Sequence, residues 1–439
     1  MRLHPDVYFR RYGTYTYLRH VGQKKDYLYN ETAFDILNFI ESHPGCGTEE
    51  TAACLEELYE TGNRDRLKED VEAFARELEE NGILQPERRE GNSSGEESIR
   101  DLIQAQCCEN NWLQSACLEL TYRCNERCIH CYIDDPSRAA QELRFEDYRR
   151  VLDELRDMGC MSVLLTGGEP TLHPDFLKIA EYAREKRFLV DIYTNGLSLD
   201  DGLLDRLIAL KPNSISFSFY GGTAAVHDRI TGIPGSFERS LRTMMMCRCA
   251  GIDTYIKTVV MKQNAEAFEE LLKLGKRLGV RILSSLSVIP THGGRSADPF
   301  RLMELEAYRR ALELEYRYGM TEAGRETGER PEEICTSGRS TLSIDPFGYV
   351  HPCNASPVRL GNIRDTSLSE LWESSGVLRE IRGLRFNDIS KACAACPHKP
   401  WCAVCVGAAV KENGRLAPCG DSCLIAQANH LEYNRAQTR

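Results

Sequence analysis

Three cysteines, Cys124, Cys128 and Cys131, fall within one short run, TYRCNERCIHCY. Thiolates on a single loop can hold three corners of a cubane iron-sulfur cluster, for which Cys is the usual ligand, and the fourth iron then stays open. A zinc site completed by His130 or His173 is the alternative. The next predicted strand ends in Thr166, Gly167, Gly168, Glu169 and Pro170. Its two glycines would let a bound molecule approach the backbone, and Glu169 offers an acceptor for a positively charged amine. Alone, such a run is a turn signal. One strand beyond three clustered cysteines it becomes specific and favours the cluster over zinc.

Eight further cysteines crowd the tail within 89 residues: Cys335, Cys353, Cys393, Cys396, Cys402, Cys405, Cys419 and Cys423. A zinc ribbon is disfavoured, because its paired knuckles normally lie roughly 15 to 20 residues apart. Only five residues separate Cys396 from Cys402. A small metal-stapled domain is expected. Of the remaining cysteines, Cys46, Cys54, Cys107, Cys108, Cys117, Cys160, Cys247 and Cys249, most read as buried thiols, with Cys107 and Cys108 near the cysteine loop in sequence and open to a further role.

The elements that must position these residues are legible as period and punctuation. Asp6 to Tyr12, Tyr15 to His20 and Asp26 to Tyr29 read as short strands, followed by helices over Glu31 to Ser42, Thr48 to Tyr59 and Asp65 to Asn81, with Gly82 as a C-cap. Strands then helices in residues 1–85 resemble a winged-helix fold. The polar stretch 86–98 reads as a linker, with a short helix at 99–108. From residue 112 to 320, strands and helices alternate. Strands are predicted at Cys117 to Thr121, Ser162 to Thr166, Leu189 to Thr194, Ser214 to Phe219, Thr254 to Met261 and Arg281 to Ile289. The pattern implies an α/β fold with a parallel sheet, open or curled into a partial barrel, and a site at the carboxyl ends of its strands. Residues 321–439 form the cysteine-rich tail.

Composition narrows the class. The chain has 439 residues, 19 of them cysteine, and a formal net charge of -11. Residues 1–90 hold 12 Lys plus Arg against 19 Asp plus Glu, a net of -7. A phosphate backbone needs neutralising cations, so no nucleic-acid partner is expected. No apolar run approaches the roughly 18 residues that span a bilayer, so no membrane is expected. The amino terminus lacks the apolar stretch of a secretory signal, and the reading is a cytoplasmic protein whose thiols serve metals rather than disulfides.

CxxxCxxC followed by GGEP on alternating strands and helices resembles the radical S-adenosylmethionine (radical SAM) enzymes. The resemblance implies a partial (β/α)6 barrel over 112–320, a [4Fe-4S] cluster on Cys124, Cys128 and Cys131, and a 5′-deoxyadenosyl radical that takes hydrogen from substrate. It places S-adenosyl-L-methionine against His130, Gly167, Gly168, Glu169, Asn195 and Ser218. The segment ISFSFYG departs from the family's frequent SxDG in having Tyr220 for the aspartate, and HDRITGIPGSF has Thr231 where an arginine is common. The tail is similar to the SPASM extension, which implies two auxiliary [4Fe-4S] clusters, three in all. By analogy Cys393, Cys396, Cys402 and Cys423 hold the outer one and Cys335, Cys353 and Cys405 the inner, with Cys419 either a fourth ligand or absent from an open iron. The tail departs from the family at Cys402 and Cys405, which have two residues between them instead of three.

Residues 1–85 resemble the PqqD-like recognition domain of maturases that act on ribosomally made peptides. Together these likenesses imply a sactipeptide, ranthipeptide or streptide-type synthase that installs a crosslink, a Cys sulfur-to-carbon thioether, in a precursor peptide with a leader. The expected reductant is flavodoxin or ferredoxin. The alternatives are a carbon-carbon (Lys-Trp type) peptide cyclase, a protein maturase of the sulfatase-activating type, and a leader-binding or electron-transfer protein without radical chemistry.

Overall fold

A computed structural model describes residues 1–59, 63–85, 96–133, 142–319, 334–418 and 420–437. The chain divides into two compact units, one of residues 1–114 with 159–161, the other of 115–158 with 162–439.

In the first unit, β1 (Val7–Tyr12), β2 (Tyr15–His20) and β3 (Lys25–Asn30) form an antiparallel sheet in the order β1-β2-β3. Helices Glu31–Ser42, Thr48–Tyr59 and Arg64–Glu80 follow. Asn30 accepts from Ala33 N and caps the first, satisfying one of the N–H groups that a helix start leaves unpaired. Ala33, Ile36, Leu37 and Ile40 recur at helical spacing and bury against Val7, Phe9 and Leu18. The helix expected at 99–108 runs further, over Glu96–Asn110, and packs on β3, where Arg100 meets the buried Asp26 at 2.8 Å. The stretch read as a linker therefore ends in helix, and the rest of it, residues 86–95, lies outside the described residues.

The second unit is built on six parallel strands: β4 (Ser115–Thr121), β5 (Ser162–Gly167), β6 (Leu189–Thr194), β7 (Ser214–Ser218), β8 (Thr254–Val259) and β9 (Arg281–Ser285). Apolar strands such as β5, SVLLTG, are what a sheet covered on both faces requires. The helix Phe145–Asp157 shows the covering side, with Tyr148, Val151, Leu152 and Leu155 buried in one stripe. The last two strands stop earlier than their composition suggested, β9 at Ser285, because beyond it the Val288 N–H is taken by the carboxylate of Asp421 instead of a neighbouring strand.

The tail, read from its cysteines as a small metal-stapled domain, also contributes strands. Its strands β10 (Thr341–Ile344), β11 (Tyr349–His351) and β12 (Gly361–Asn362) continue the same sheet, in the order β12-β11-β10-β4-β5-β6-β7-β8-β9. β10 lies parallel to β4, Thr341 opposite Ser115 and Ile344 opposite Leu118. The helix Ser422–Gln437 packs on Leu305–Arg317, with Arg309 and Glu432 paired at 2.9 Å. No helix among the described residues is long and apolar enough to cross a membrane.

Candidate functional site

The cysteine loop leaves the carboxyl end of β4 and is braced from two sides. The N–H groups of Arg127 and Ile129 donate to the carbonyls of Thr231 and Ile230 at 2.8 and 3.0 Å. Those carbonyls end the helix Ala224–Thr231, which runs into the HDRITGIPGSF segment and was not recognised as helical in the sequence. Asp228 organises that segment, accepting from the N–H groups of Gly235 and Phe237 and from the Ser236 hydroxyl. On the loop itself, Glu126 N donates to Cys124 Sγ at 3.4 Å and Cys128 Sγ donates to Glu126 Oε2 at 3.2 Å.

The second side is the Gly-Gly-Glu turn. Gly168 N–H donates to Thr121 O at 2.7 Å and Glu169 N–H to Arg123 O at 2.8 Å. A Cβ on Gly167 or Gly168 would lie 2.3 Å from Thr121 O or Arg123 O. The glycines are thus required by the chain's own backbone, which comes as close as a ligand was expected to come, and Gly167 also holds φ +132°. Glu169 is fully buried. Its Oε1 accepts from Thr171 N, Thr171 Oγ1 and Thr194 Oγ1, and its Oε2 from Asn195 N at 2.8 Å. Burial raises its carboxyl above the usual range, and these donors pull the other way. Asn195 then reaches the cysteines, its Nδ2 lying 3.8 Å from Cys124 Sγ.

His130 and Ser218 meet through Tyr220, the residue that replaces the family's aspartate. The His130 and Tyr220 rings pack edge to face at 4.6 Å, and the Tyr220 phenol hydrogen-bonds the Ser218 side chain. Burial lowers His130 to about 4, so it is neutral near pH 7. His173, the other histidine considered for zinc, is used up by the fold: Nε2 meets Leu143 O at 3.1 Å and Nδ1 accepts from Asp175 N.

The loop's donor set fits an iron-sulfur cluster. Burial pushes the Cys128 thiol well above its ordinary range and Cys124 up to about 12, with charge on Cys131 raising both. A bound cation reverses that balance toward thiolates. Glu126 Oε1 and His130 Nδ1 are buried without a partner in the described structure, polar atoms that a bound group would meet.

In the tail, Cys335, Cys393 and Cys402 pack around one small core of Ile334, Phe386, Ile389, Val404 and Ala409. Cys405 caps the helix Val406–Asn413 by accepting from Ala408 N. Cys353 lies near Cys117 of β4, whose thiol it influences. Cys396 N–H donates to Cys393 O, and Cys423 is exposed on its helix. Cys419 lies outside the described residues. Among the described residues no three His, Cys, Asp or Glu side chains converge on a single-ion site; a cubane spreads its thiolates over separate irons.

Residues missed by sequence reasoning line the sheet's interior. Glu119 on β4, Asp191 on β6 and Lys257 on β8 are charged positions inside apolar strands. Lys257 Nζ lies 3.9 Å from the Tyr193 ring centroid, and burial lowers it to about 8. The signal was present, since a charge inside a strand covered on both faces is costly and needs a reason.

A family model described as the Radical SAM superfamily matches residues 118–275, and one described as an iron-sulfur cluster-binding domain, SPASM, matches residues 335–397. The chain belongs to the radical SAM superfamily, and it is an enzyme with S-adenosylmethionine and iron-sulfur clusters as cofactors. It is 30% identical to the mycofactocin maturase MftC of Mycolicibacterium smegmatis over 302 residues, 65% of this chain and 75% of that one. It is 29% identical to an AdoMet-dependent heme synthase of Methanosarcina barkeri over 329 residues, 67% of this chain and 92% of the relative. In fold it is similar to Streptococcus suis SuiB bound to precursor peptide SuiA, with a TM-score of 0.64 at 18% identity, covering 94% of this chain and 97% of that one.

Proposed function

We propose that this enzyme matures a ribosomally made precursor peptide by crosslinking it. The observation that carries the peptide reading is the small sheet of residues 1–85. β3 pairs with β2 on one side only among the described residues. Beside it lies a groove of about 370 Å3 lined by Tyr29, Ile36, Leu67, Val71 and Phe74. An extended leader can add a strand to such an edge and seat side chains in the groove, as a PqqD-like recognition element does. Tethering the leader raises the effective concentration of the core peptide at the reacting centre. The MftC and SuiB likenesses support this reading.

Residues 112–320 are read as a partial (β/α)6 barrel, with Cys124, Cys128 and Cys131 as cluster ligands and His130, Gly167, Gly168, Glu169, Asn195 and Ser218 around S-adenosylmethionine. When bound, that cofactor and its reducing cluster supply a 5′-deoxyadenosyl radical. The chain's own part is to fix the loop through Asn195 and Glu169 and to exclude water. Thioether formation would leave one substrate hydrogen atom in 5′-deoxyadenosine, release the thiol proton and need a one-electron acceptor as the C–S bond forms, which clusters on the tail cysteines would supply. The tail cysteines, Cys419 included, are read as holding two such clusters, about twelve irons per chain in all. A flavodoxin or ferredoxin supplies the starting electron in the cytoplasm.

Coexpression with the small open reading frames beside the gene, followed by mass spectrometry, tests this. A loss of two hydrogens per event is expected, with thiol-blocking reagents no longer labelling the joined cysteine. An unchanged mass in every candidate peptide refutes crosslinking, and a two-hydrogen loss with all cysteines still reactive replaces the thioether by a carbon-carbon bond.

A further inference from the structure

A cavity of about 270 Å3 opens beside the cysteine loop, between Tyr122 and Ile133. Its volume sits just below the roughly 300 to 1,000 Å3 of small-molecule sites, ample for one long side chain. Three parts of the second unit meet there. Glu119 and Tyr122 come from the end of β4, Asp345 and Phe347 from the turn between β10 and β11, and His292 from the chain beyond β9.

Glu119 forms the acidic wall. It is 2% exposed, and its carboxylate accepts from two phenols, Tyr132 Oη at 2.7 Å and Tyr122 Oη at 3.2 Å. Among the described residues no Lys or Arg forms a salt bridge with it, and His351 is near enough to act on it electrostatically. The bulge between Glu119 and Thr121, where the β4–β5 register shifts, re-aims the strand at this point. Asp345 adds a second carboxylate, with Oδ1 taken by the N–H groups of Phe347 and Tyr349 and Oδ2 lying 3.5 Å from His351 Nε2. Aromatic rings complete the enclosure. Tyr122 stacks with His292 at 5.7 Å and meets Phe347 edge-on at 5.6 Å. Arg359, which also borders the cavity, is exposed and lays its guanidinium over the Tyr349 ring at 3.9 Å.

A buried carboxylate with no Lys or Arg bridged to it among the described residues, walled by aromatic rings, is a recognition set for an ammonium or guanidinium on an alkyl stem. The carboxylate accepts charge-assisted hydrogen bonds, and the rings attract the cation and cover the stem. We propose that this cavity is a subsite for a lysine or arginine side chain of the substrate, with Glu119 as its specificity-determining residue. The proposal rests on the peptide reading and deepens it by naming the residue type seated beside the cysteine loop.

The test is binding of N-acetyl-lysine methylamide, N-acetyl-arginine methylamide and the neutral N-acetyl-norleucine methylamide to the full chain with its clusters reconstituted, by saturation-transfer NMR. At least one cationic amide should bind about tenfold or more tighter than the norleucine amide, the worth of a hydrogen bond to a charged group. Glu119→Gln, which keeps an acceptor for one phenol and offers the other phenol's oxygen an N–H2 donor, should abolish that preference. Equal binding of all three amides, or an undiminished preference in a folded Glu119→Gln, overturns the proposal. If that variant does not fold, Phe347→Leu decides instead: severalfold weaker binding of the cationic amide supports the subsite, and unchanged binding overturns it. Amide binding that depends on Glu119 stands even if no peptide is crosslinked, and peptide crosslinking stands even if the amides do not bind, so the two readings fail separately.

Discussion

Asn195 Nδ2 donates to Asn125 Oδ1 across 2.6 Å, tying the end of β6 to the loop that carries Cys124, Cys128 and Cys131. Through its backbone the same residue holds Glu169, so one residue joins three separate stretches of sequence. Partners that orient metal ligands are typically worth about 10- to 100-fold in metal affinity or activity. Asn195→Ala is therefore expected to lose loop-bound iron to a chelator about tenfold faster than the parent. Equal retention of iron would show that the brace does not matter to the loop.

Glu169→Gln turns one carboxylate oxygen into an N–H2 group facing the donors of Thr171, Thr194 or Asn195. A buried donor left against a donor costs about 1 to 3 kcal/mol. The urea midpoint should fall accordingly, and an unchanged midpoint would mean that the turn repacks without loss.

Gly168→Ala places a methyl group 2.3 Å from Arg123 O, against backbone that cannot move without the cysteine loop. Overpacking of this kind costs about 1 to 3 kcal/mol. The variant should cleave S-adenosylmethionine poorly even with iron restored, measured as 5′-deoxyadenosine. Parental turnover by a variant of parental stability would place the loop's freedom elsewhere.

Lys257 gives the stability a pH dependence with a definite sign. The unfolded chain keeps this proton up to about 10.5, whereas burial lets the folded protein release it near 8. Between those values the unfolded state binds more protons, so this residue's contribution makes stability rise with pH, by up to about 3 kcal/mol. Denaturant unfolding at pH 7.5 and 9.5 should show a gain in the parent that Lys257→Met lacks. Parallel pH profiles would mean that solvent reaches the amine.

Replacing Phe74 by Lys in the groove beside β3 should weaken processing of the precursor while leaving uncoupled 5′-deoxyadenosine formation in place. Undiminished peptide turnover would remove the leader from that groove.

Local signals carried much of the architecture. Glu31–Ser42, Thr48–Tyr59 and Leu189–Thr194 fall where caps and apolar periodicity placed them, because those signals act within one or two turns of chain. The helix Ala224–Thr231 was hidden in a run read only as a motif, being short and closed by the left-handed Gly232. The reason for Gly167 and Gly168 was also hidden, since it depends on carbonyls of a different strand. Nothing local announces that β10 belongs beside β4. Register between segments so distant is set by tertiary packing, and composition does not record it.

The pairing of Thr341 with Ser115 also sets a schedule. β4 emerges early from the ribosome, yet one flank stays unsatisfied until more than half of the chain has followed it. Closing so long a loop is slow, and an unpaired parallel strand is open to association with other chains while it waits. Overproduction yields should therefore depend on translation rate and on chaperone supply. A chain cut off before residue 341 would expose the flank of the very strand whose end presents the cysteine loop.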